Sequence, residues 1–377
     1  MLTMLFSTLA FVTLFPAAFA KVQFLGVAIA GGDFGCQIDG TCPPGSAQLP
    51  LSNGPTQMSH FVKDDGINLL RLPTSWQFLV NSQLGGDLDA SNFSKYNQLV
   101  QACLATGAYC MIDIHNFARW NGQIIGQGGP TDEQFASFWG QLAGKYASSE
   151  KIVFEIMNEP HDLDIGIWAQ TCQKVVTAIR EAGATSQMIL LPGTNFDSAA
   201  TLVSSGSADA LFAVTNPDGS TDNLLLDIHK YLDEDNSGTH ATCTTNNIDA
   251  FTTIAQYLRS KGRKGLISET GASSDASCAE RQPDLDHIYT DISRNKLGVY
   301  VLHDDPHHHI HSALDTDGNN NPVIEFPSKQ QHQGFRSDHQ LGRIDPDGFF
   351  TGDNHVDARH CYRNATFGFW SQRPDHG

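Results

Sequence analysis

Ile152-Val-Phe-Glu155-Ile-Met-Asn158-Glu159-Pro160 is an apolar run that carries two carboxylates and stops at a proline. Along a strand, side chains of one parity point to one side, so Val153, Glu155, Met157 and Glu159 are expected to share a face. Glu159 is the last of them, immediately before the loop that Pro160 opens. A carboxyl at such a strand end is desolvated on one side, which can raise its pKa for acid work. A second run, Gly265-Leu-Ile-Ser268-Glu269-Thr-Gly271, has the same design: an apolar strand that ends in glutamate.

Outward from these two runs the pattern repeats. Short apolar segments at 24–28, 68–72, 109–114, 152–157, 188–191, 224–228, 265–268 and 298–302 predict strands. Helix-period segments at 57–65, 93–106, 132–147, 165–182, 249–260 and 285–295 separate most of them. Strands alternating with helices predict a parallel sheet built by right-handed crossovers, and the count of eight predicts an α/β fold of the (β/α)8 TIM barrel type. No GxGxxG follows the first strand, so a dinucleotide fold has no support. In a parallel barrel the loops after the strands share one rim, where catalytic groups collect. Glu159 and Glu269 then sit on the fourth and seventh strands and face each other across the mouth. Two carboxylates so placed are what glycoside hydrolysis requires.

Composition narrows the chemistry. The 377 residues carry 23 Lys and Arg against 41 Asp and Glu, a net charge of −18 with histidine neutral. That balance argues against nucleic acid, whose phosphates need clustered cations, and against an anionic membrane surface. A neutral substrate remains. Residues 1–20 predict a signal peptide: 4–15 are apolar, Ala18-Phe-Ala20 is a small-x-small cleavage site, and Pro16 and the short run argue against a membrane span. The mature chain would begin at Lys21, secreted and extracellular, with no membrane contact after cleavage. Secretion permits disulfides. Cys36/Cys42 and Cys103/Cys110 are close pairs without metal-type spacing, which favours local disulfides. Cys172 shares a helical stripe with Trp168, Val175, Val176 and Ile179 and is expected to be a buried free thiol.

Other expected strand ends deliver polar groups to the same rim. The second ends near Arg71, the third gives His115-Asn116, and the sixth gives His229 and then Tyr231. Arg71 can hydrogen-bond a carboxylate and hold it ionised, and Tyr231 can donate to a nucleophilic carboxylate. Any one of these suits a structural network; their joint occurrence favours a site. Trp76 suits core packing and sugar stacking about equally, whereas Trp120, in a polar loop, is the better sugar platform.

The motifs Asp113-Ile-His115-Asn116, Ile156-Met-Asn158-Glu159-Pro-His161, Asp227-Ile-His229-Lys-Tyr231 and Ser268-Glu269-Thr-Gly271 resemble those of the fungal endo-β-1,4-glucanases of glycoside hydrolase family 5. The longer stretches Arg119-Trp-Asn-Gly122, Ile125-Gly-Gln-Gly-Gly-Pro130 and Asn236-Ser-Gly-Thr-His240 agree, and the likeness runs from about Val22 to Cys278. The resemblance implies a (β/α)8 catalytic domain over 21–302, cleavage of internal β-1,4-glucosidic bonds of cellulose and related β-glucans, and a retaining mechanism. It implies Glu159 as acid/base and Glu269 as nucleophile. Asn158 would bond the sugar 2-hydroxyl, Arg71 and Tyr231 would orient Glu269, and His115 and His229 would line the site. It also implies disulfides Cys36–Cys42, Cys103–Cys110 and Cys243–Cys278. No cofactor or metal is required, the partner is a β-glucan, and the chain is expected to be a monomer.

The sequence departs from the family at its eighth strand. Val299-Tyr-Val-Leu-His303-Asp304 lacks the tryptophan that usually floors the site, so this strand is expected to be atypical. Ten of the sixteen histidines lie in residues 303–377, an aliphatic-poor segment expected to be an irregular tail. We expect the sequence beyond about Ala279 to be an altered reading of the gene. His307, His308, His309 and His311 offer a metal-site alternative. Three alternatives to the glucanase stay open: another family 5 β-glycanase (mannanase or β-1,3-glucanase), a catalytically impaired glycan-binding protein, or a product that does not fold stably because an open barrel leaves edges on strands one and seven.

Overall fold

The computed structural model describes residues 23–271, 273, 275–279, 301–303, 314–316 and 322–324. The expected signal peptide, the helix at 285–295, the histidine tract, Cys361 and most of the tail lie outside these residues.

Among the described residues, β1 (Leu25–Ala28), β2 (Leu69–Thr74), β3 (Tyr109–Ile114), β6 (Ile152–Glu155), β7 (Met188–Leu191), β8 (Leu224–His229), β9 (Lys264–Thr270) and β10 (Val301–His303) pair in parallel into a closed barrel, in that cyclic order. A separate hairpin, β4 (Arg119–Trp120) and β5 (Gln123–Ile124), stands after β3. The long helices are α1 (Gly54–Asp64), α3 (Ala90–Thr106), α4 (Asp132–Gly144), α5 (Ile165–Glu181) and α7 (Ile248–Lys261). Three shorter ones, α2 (Trp76–Leu79), α6 (Ser207–Phe212) and α8 (Ala276–Ala279), lack enough residues to show a period in the sequence. The eighth strand is atypical, as expected. β10 meets β1 at two positions and meets β9 through a register shift between Val301 and His303. Further along the chain, Leu314–Thr316 pairs antiparallel with Pro322–Ile324.

The barrel interior is layered, because strand parity sends every second side chain inward. Phe24, Leu69, Met111, Val153, Leu190, Leu225 and Leu266 form one apolar layer. Two residues further along five of these strands stand Arg71, Asp113, Glu155, Asp227 and Ser268, all buried. Outward-facing positions such as Ile112, Phe154 and Ile189 join the larger cluster under the helices, together with Trp76, Trp139 and Trp168. The α5 stripe of Trp168, Cys172, Val175, Val176 and Ile179 packs into that cluster, and Cys172 is a buried free thiol as its spacing predicts. Helix ends follow ordinary capping chemistry: Thr131 and Gln134 form a capping box at α4, and Asp89 Oδ1 accepts from Asn92 N at α3. The disulfides Cys36–Cys42, Cys103–Cys110 and Cys243–Cys278 are all formed.

One expectation is corrected. The period of two does not run from Val153 to Glu159. β6 ends at Glu155, Met157 turns outward into the helix-side cluster, and Glu159 has φ +45°. A left-handed residue interrupts the pleat, so Glu159 reaches the rim through a turn and not through strand parity.

Truncating the inner layer should be costly. Leu190→Ala is expected to destabilise the chain by about 2–5 kcal/mol, since Leu190 is fully buried and the closed barrel limits collapse around the void. Denaturant unfolding checks this, and a loss below about 1 kcal/mol contradicts the layered interior.

Candidate active site

Arg71 is the hub of the polar layer. Two residues past Leu69 on β2, it points inward with 3% of its side chain exposed. Its Nε donates to Glu155 Oε2 at 2.7 Å, and its Nη2 donates to Glu155 Oε1 at 2.5 Å. The same Nη2 lies 2.8 Å from Asn158 Oδ1 and 2.9 Å from Asp113 Oδ2. Nη1 lies 2.5 Å from Glu269 Oε1. One guanidinium thereby joins β2, β3, the turn after β6 and β9.

Glu269 reaches this cation through a break in the strand. Ile228 pairs with Ile267, but His229 pairs with Glu269, so β9 carries one extra residue, Ser268. Ser268 Oγ donates to the inward Asp227, and Glu269 also faces the interior beside Arg71. A bulge of this kind lets two consecutive side chains serve one face.

Around Glu269 the donors converge. Tyr231 Oη donates to its Oε2 at 2.8 Å, and His229 Nδ1 lies 3.5 Å from the same oxygen. Burial by itself would raise the Glu269 pKa. Arg71, His229 and His115, with the Tyr231 hydroxyl, outweigh it and hold the carboxyl at about 2. Glu269 is therefore an anion throughout the ordinary pH range.

Glu159 approaches the same nitrogen of His229, whose Nδ1 is 2.9 Å from Glu159 Oε1. Glu159, His229 and Glu269 each present a ligand atom within 4.8 Å of the others. The two glutamates keep 17% and 14% of their side chains exposed, so both meet the solvent at the mouth. Burial opposes charge on His229, but Glu269, Glu159 and Asp227 reverse that and push its pKa well above the usual imidazole range. His115 follows the same balance: burial lowers it, Asp113 Oδ2 at 2.8 Å raises it, and it titrates at about 9. Asn158 is buried and its Oδ1 is taken by Arg71, while Nδ2 has no partner among the described residues. That leaves the amide nitrogen to donate to a ligand.

The sequence motifs thus converge on Glu159, Glu269, Arg71, Asn158, His115, His229 and Tyr231. Trp120 stands apart. It is 8% exposed and meets Trp76 edge-on with ring centroids 5.0 Å apart, so the core takes most of the ring that a sugar would need. Trp76 is wholly buried.

Five buried acids had no assigned role in the sequence reading: Asp113, Glu155, Asp197, Asp227 and Asp233. Asp113 and Asp227 precede His115 and His229 by two residues, so strand parity alone places them inward. Asp197 gave no such signal. Its Oδ2 accepts from Glu159 N at 3.1 Å and its backbone oxygen accepts from His229 N at 2.8 Å, in a loop with positive φ at Asn195, Phe196 and Asp197. Burial pushes Asp227 up to about 6 and also raises Glu155 and Asp197. A group able to hold a metal by proximity also occurs away from the barrel axis, Asp233 with Asp235 and His240, where both carboxylates bond His240.

The chain is similar to known proteins. Residues 41–302 fit the family described as cellulase, glycosyl hydrolase family 5. Endoglucanase EG-II of Hypocrea jecorina is 59% identical over 269 residues, which are 69% of this chain and 64% of that protein. This chain therefore spans less than two thirds of that relative's length. Endoglucanase 1 of Saitozyma flava is 49% identical over 255 residues, 67% of this chain and 73% of the relative. The crystal structure of Cel5A (EG2) from Hypocrea jecorina superposes with a TM-score of 0.71 at 55% identity, covering 74% of this chain and 88% of that one.

His115 gives a pH prediction. Its folded pKa lies above the unfolded value of about 6.5, so its stabilisation is complete below that pH and is lost as pH rises through about 9. Thermal unfolding of wild type should weaken between these limits, and His115→Gln should flatten that part of the curve. Parallel curves for the two proteins contradict the assignment.

Proposed function

The chain belongs to the cellulases of glycosyl hydrolase family 5, and on that premise we propose that it is a retaining endoglucanase cleaving internal β-1,4-glucosidic bonds of cellulose and related β-glucans. The observation that carries this reading is that one carboxylate oxygen of Glu159 and one of Glu269 lie within 4.8 Å of each other at the barrel mouth. Retaining glycosidases hold their two carboxyl groups about 5–5.5 Å apart, and inverting ones leave room for a water at about 6.5–9.5 Å.

Glu269, anionic under the charge of Arg71, is the nucleophile. Its oxygen attacks the anomeric carbon while the Glu159 carboxyl delivers a proton to the departing glycosidic oxygen. The carbon–oxygen bond to the leaving chain breaks and a glycosyl ester on Glu269 forms. Glu159, now a carboxylate, takes a proton from water. That water attacks the same carbon and expels Glu269, so two inversions give net retention. Asn158 Nδ2 suits the sugar 2-hydroxyl, a contact that strengthens in the transition state. His229 bridges the two carboxyls and keeps them in register through the proton transfers. The apolar N-terminal run with its Ala18-Phe-Ala20 site supports secretion to meet a polymer outside the cell.

Glu269→Gln and Glu159→Gln are each expected to lower kcat on soluble cellulose derivatives by about 10²–10⁴ or more while the melting temperature stays close to wild type. Proton NMR of the first product should show the retained β-anomer. Inversion of configuration, or wild-type activity in either variant, defeats the mechanism. Faster cleavage of mannan or laminarin than of cellulose derivatives defeats the substrate.

A further inference from the structure

Tyr231 reaches Glu269 from a loop, not from a strand. It lies two residues past β8, and its phenol donates to the carboxylate at 2.8 Å. A side chain on a loop needs something to fix it, and the segment that follows does so in three ways. Asn236 Oδ1 accepts from Tyr231 N at 2.9 Å and from Lys230 Nζ at 2.6 Å. Asn247 Nδ2 donates to Tyr231 O at 2.8 Å. Gly238, with φ +71°, lies against the ring itself: a Cβ there would come within 2.6 Å of Tyr231 Cε1, 2.7 Å of Cδ1 and 3.0 Å of Cζ. The loop is closed behind the ring by the buried Asp233, whose Oδ2 accepts from Ser237 Oγ at 3.1 Å and His240 N at 3.2 Å.

With the backbone tied on both sides, the ring and not the main chain has to give way to a larger residue at 238. A methyl there would tilt the phenol about its own Cα–Cβ bond and carry Oη off Glu269. We propose that Asn236 and Gly238 are positioning residues for the nucleophile, acting through Tyr231: Asn236 sets the height of its backbone and Gly238 sets the plane of its ring. This rests on Glu269 being the nucleophile of the reaction above.

The test is a double-mutant cycle of Gly238→Ala and Tyr231→Phe, assayed on a soluble β-1,4-glucan. If Gly238 acts through the phenol, Gly238→Ala lowers kcat by about tenfold with KM nearly unchanged, as for a small misplacement of a reacting group. In the Tyr231→Phe background, where the hydroxyl is already gone, it should cost less than about twofold more. Losing a donor to Glu269 should also shift the acid limb of kcat/KM toward neutral pH in both single variants. That limb is independent of how much enzyme is folded. Asn236→Gly, which tolerates the φ of +67° but removes the amide, should reproduce both effects if Gly238→Ala expresses poorly. Losses that multiply in the double variant, or an unmoved acid limb in Gly238→Ala and Asn236→Gly, overturn the proposal while leaving the glucanase intact. A wild-type chain that does not hydrolyse the glucan sinks both.

Discussion

The guanidinium of Arg71, buried above the leucines of the barrel floor, faces Glu155, Asp113 and Glu269 at 2.5–2.9 Å. Such a cluster is a poor source of net stability, because the desolvation of its charges offsets most of their attraction. Its effect is on uniqueness. A bidentate fork accepts carboxylates only in its own plane, so β2, β3, β6 and β9 must adopt one mutual register for all contacts to form. Removing Arg71 itself would leave these acids without their shared counter-charge. The apolar layer beneath determines where Arg71 starts, and Arg71 determines where the acids end.

The same cation divides the labour at the mouth. Glu269 is surrounded by positive charge and hydroxyl donation, and its proton is displaced far into the acid range. Glu159 meets His229 and takes its backbone support from Asp197, across the ring of acids that burial pushes upward. Two side chains of identical chemistry thus occupy unlike environments a few ångströms apart, the condition under which one can attack while the other transfers protons.

Most of the scaffold was legible in the sequence, because strand and helix periods are local properties that burial enforces. β3 and β7 have the bounds their apolar runs predict, and the long helices differ from expectation by three residues or fewer at each end. The site residues were legible as chemical types at strand ends. Their routes to the mouth were not, since a bulge and a left-handed turn leave no periodic trace and depend on contacts with distant strands. Asp197 was invisible for the same reason: its role comes from a loop folded between β6 and β8. The packing of Trp120 on Trp76 was not legible either, because that partner lies far off in sequence.

The extra residue at Ser268 has a consequence for how such a barrel changes over evolutionary time. The eight strands form a closed ring of mutual registers, so sliding one of them to adjust an acid by an ångström would disturb its neighbours all the way round. A local fault in one strand avoids that. The spacing of the two glutamates can be retuned by altering the fault at Ser268 or the turn at Glu159 alone, and selection can reshape the reaction centre while the cylinder stays as it was.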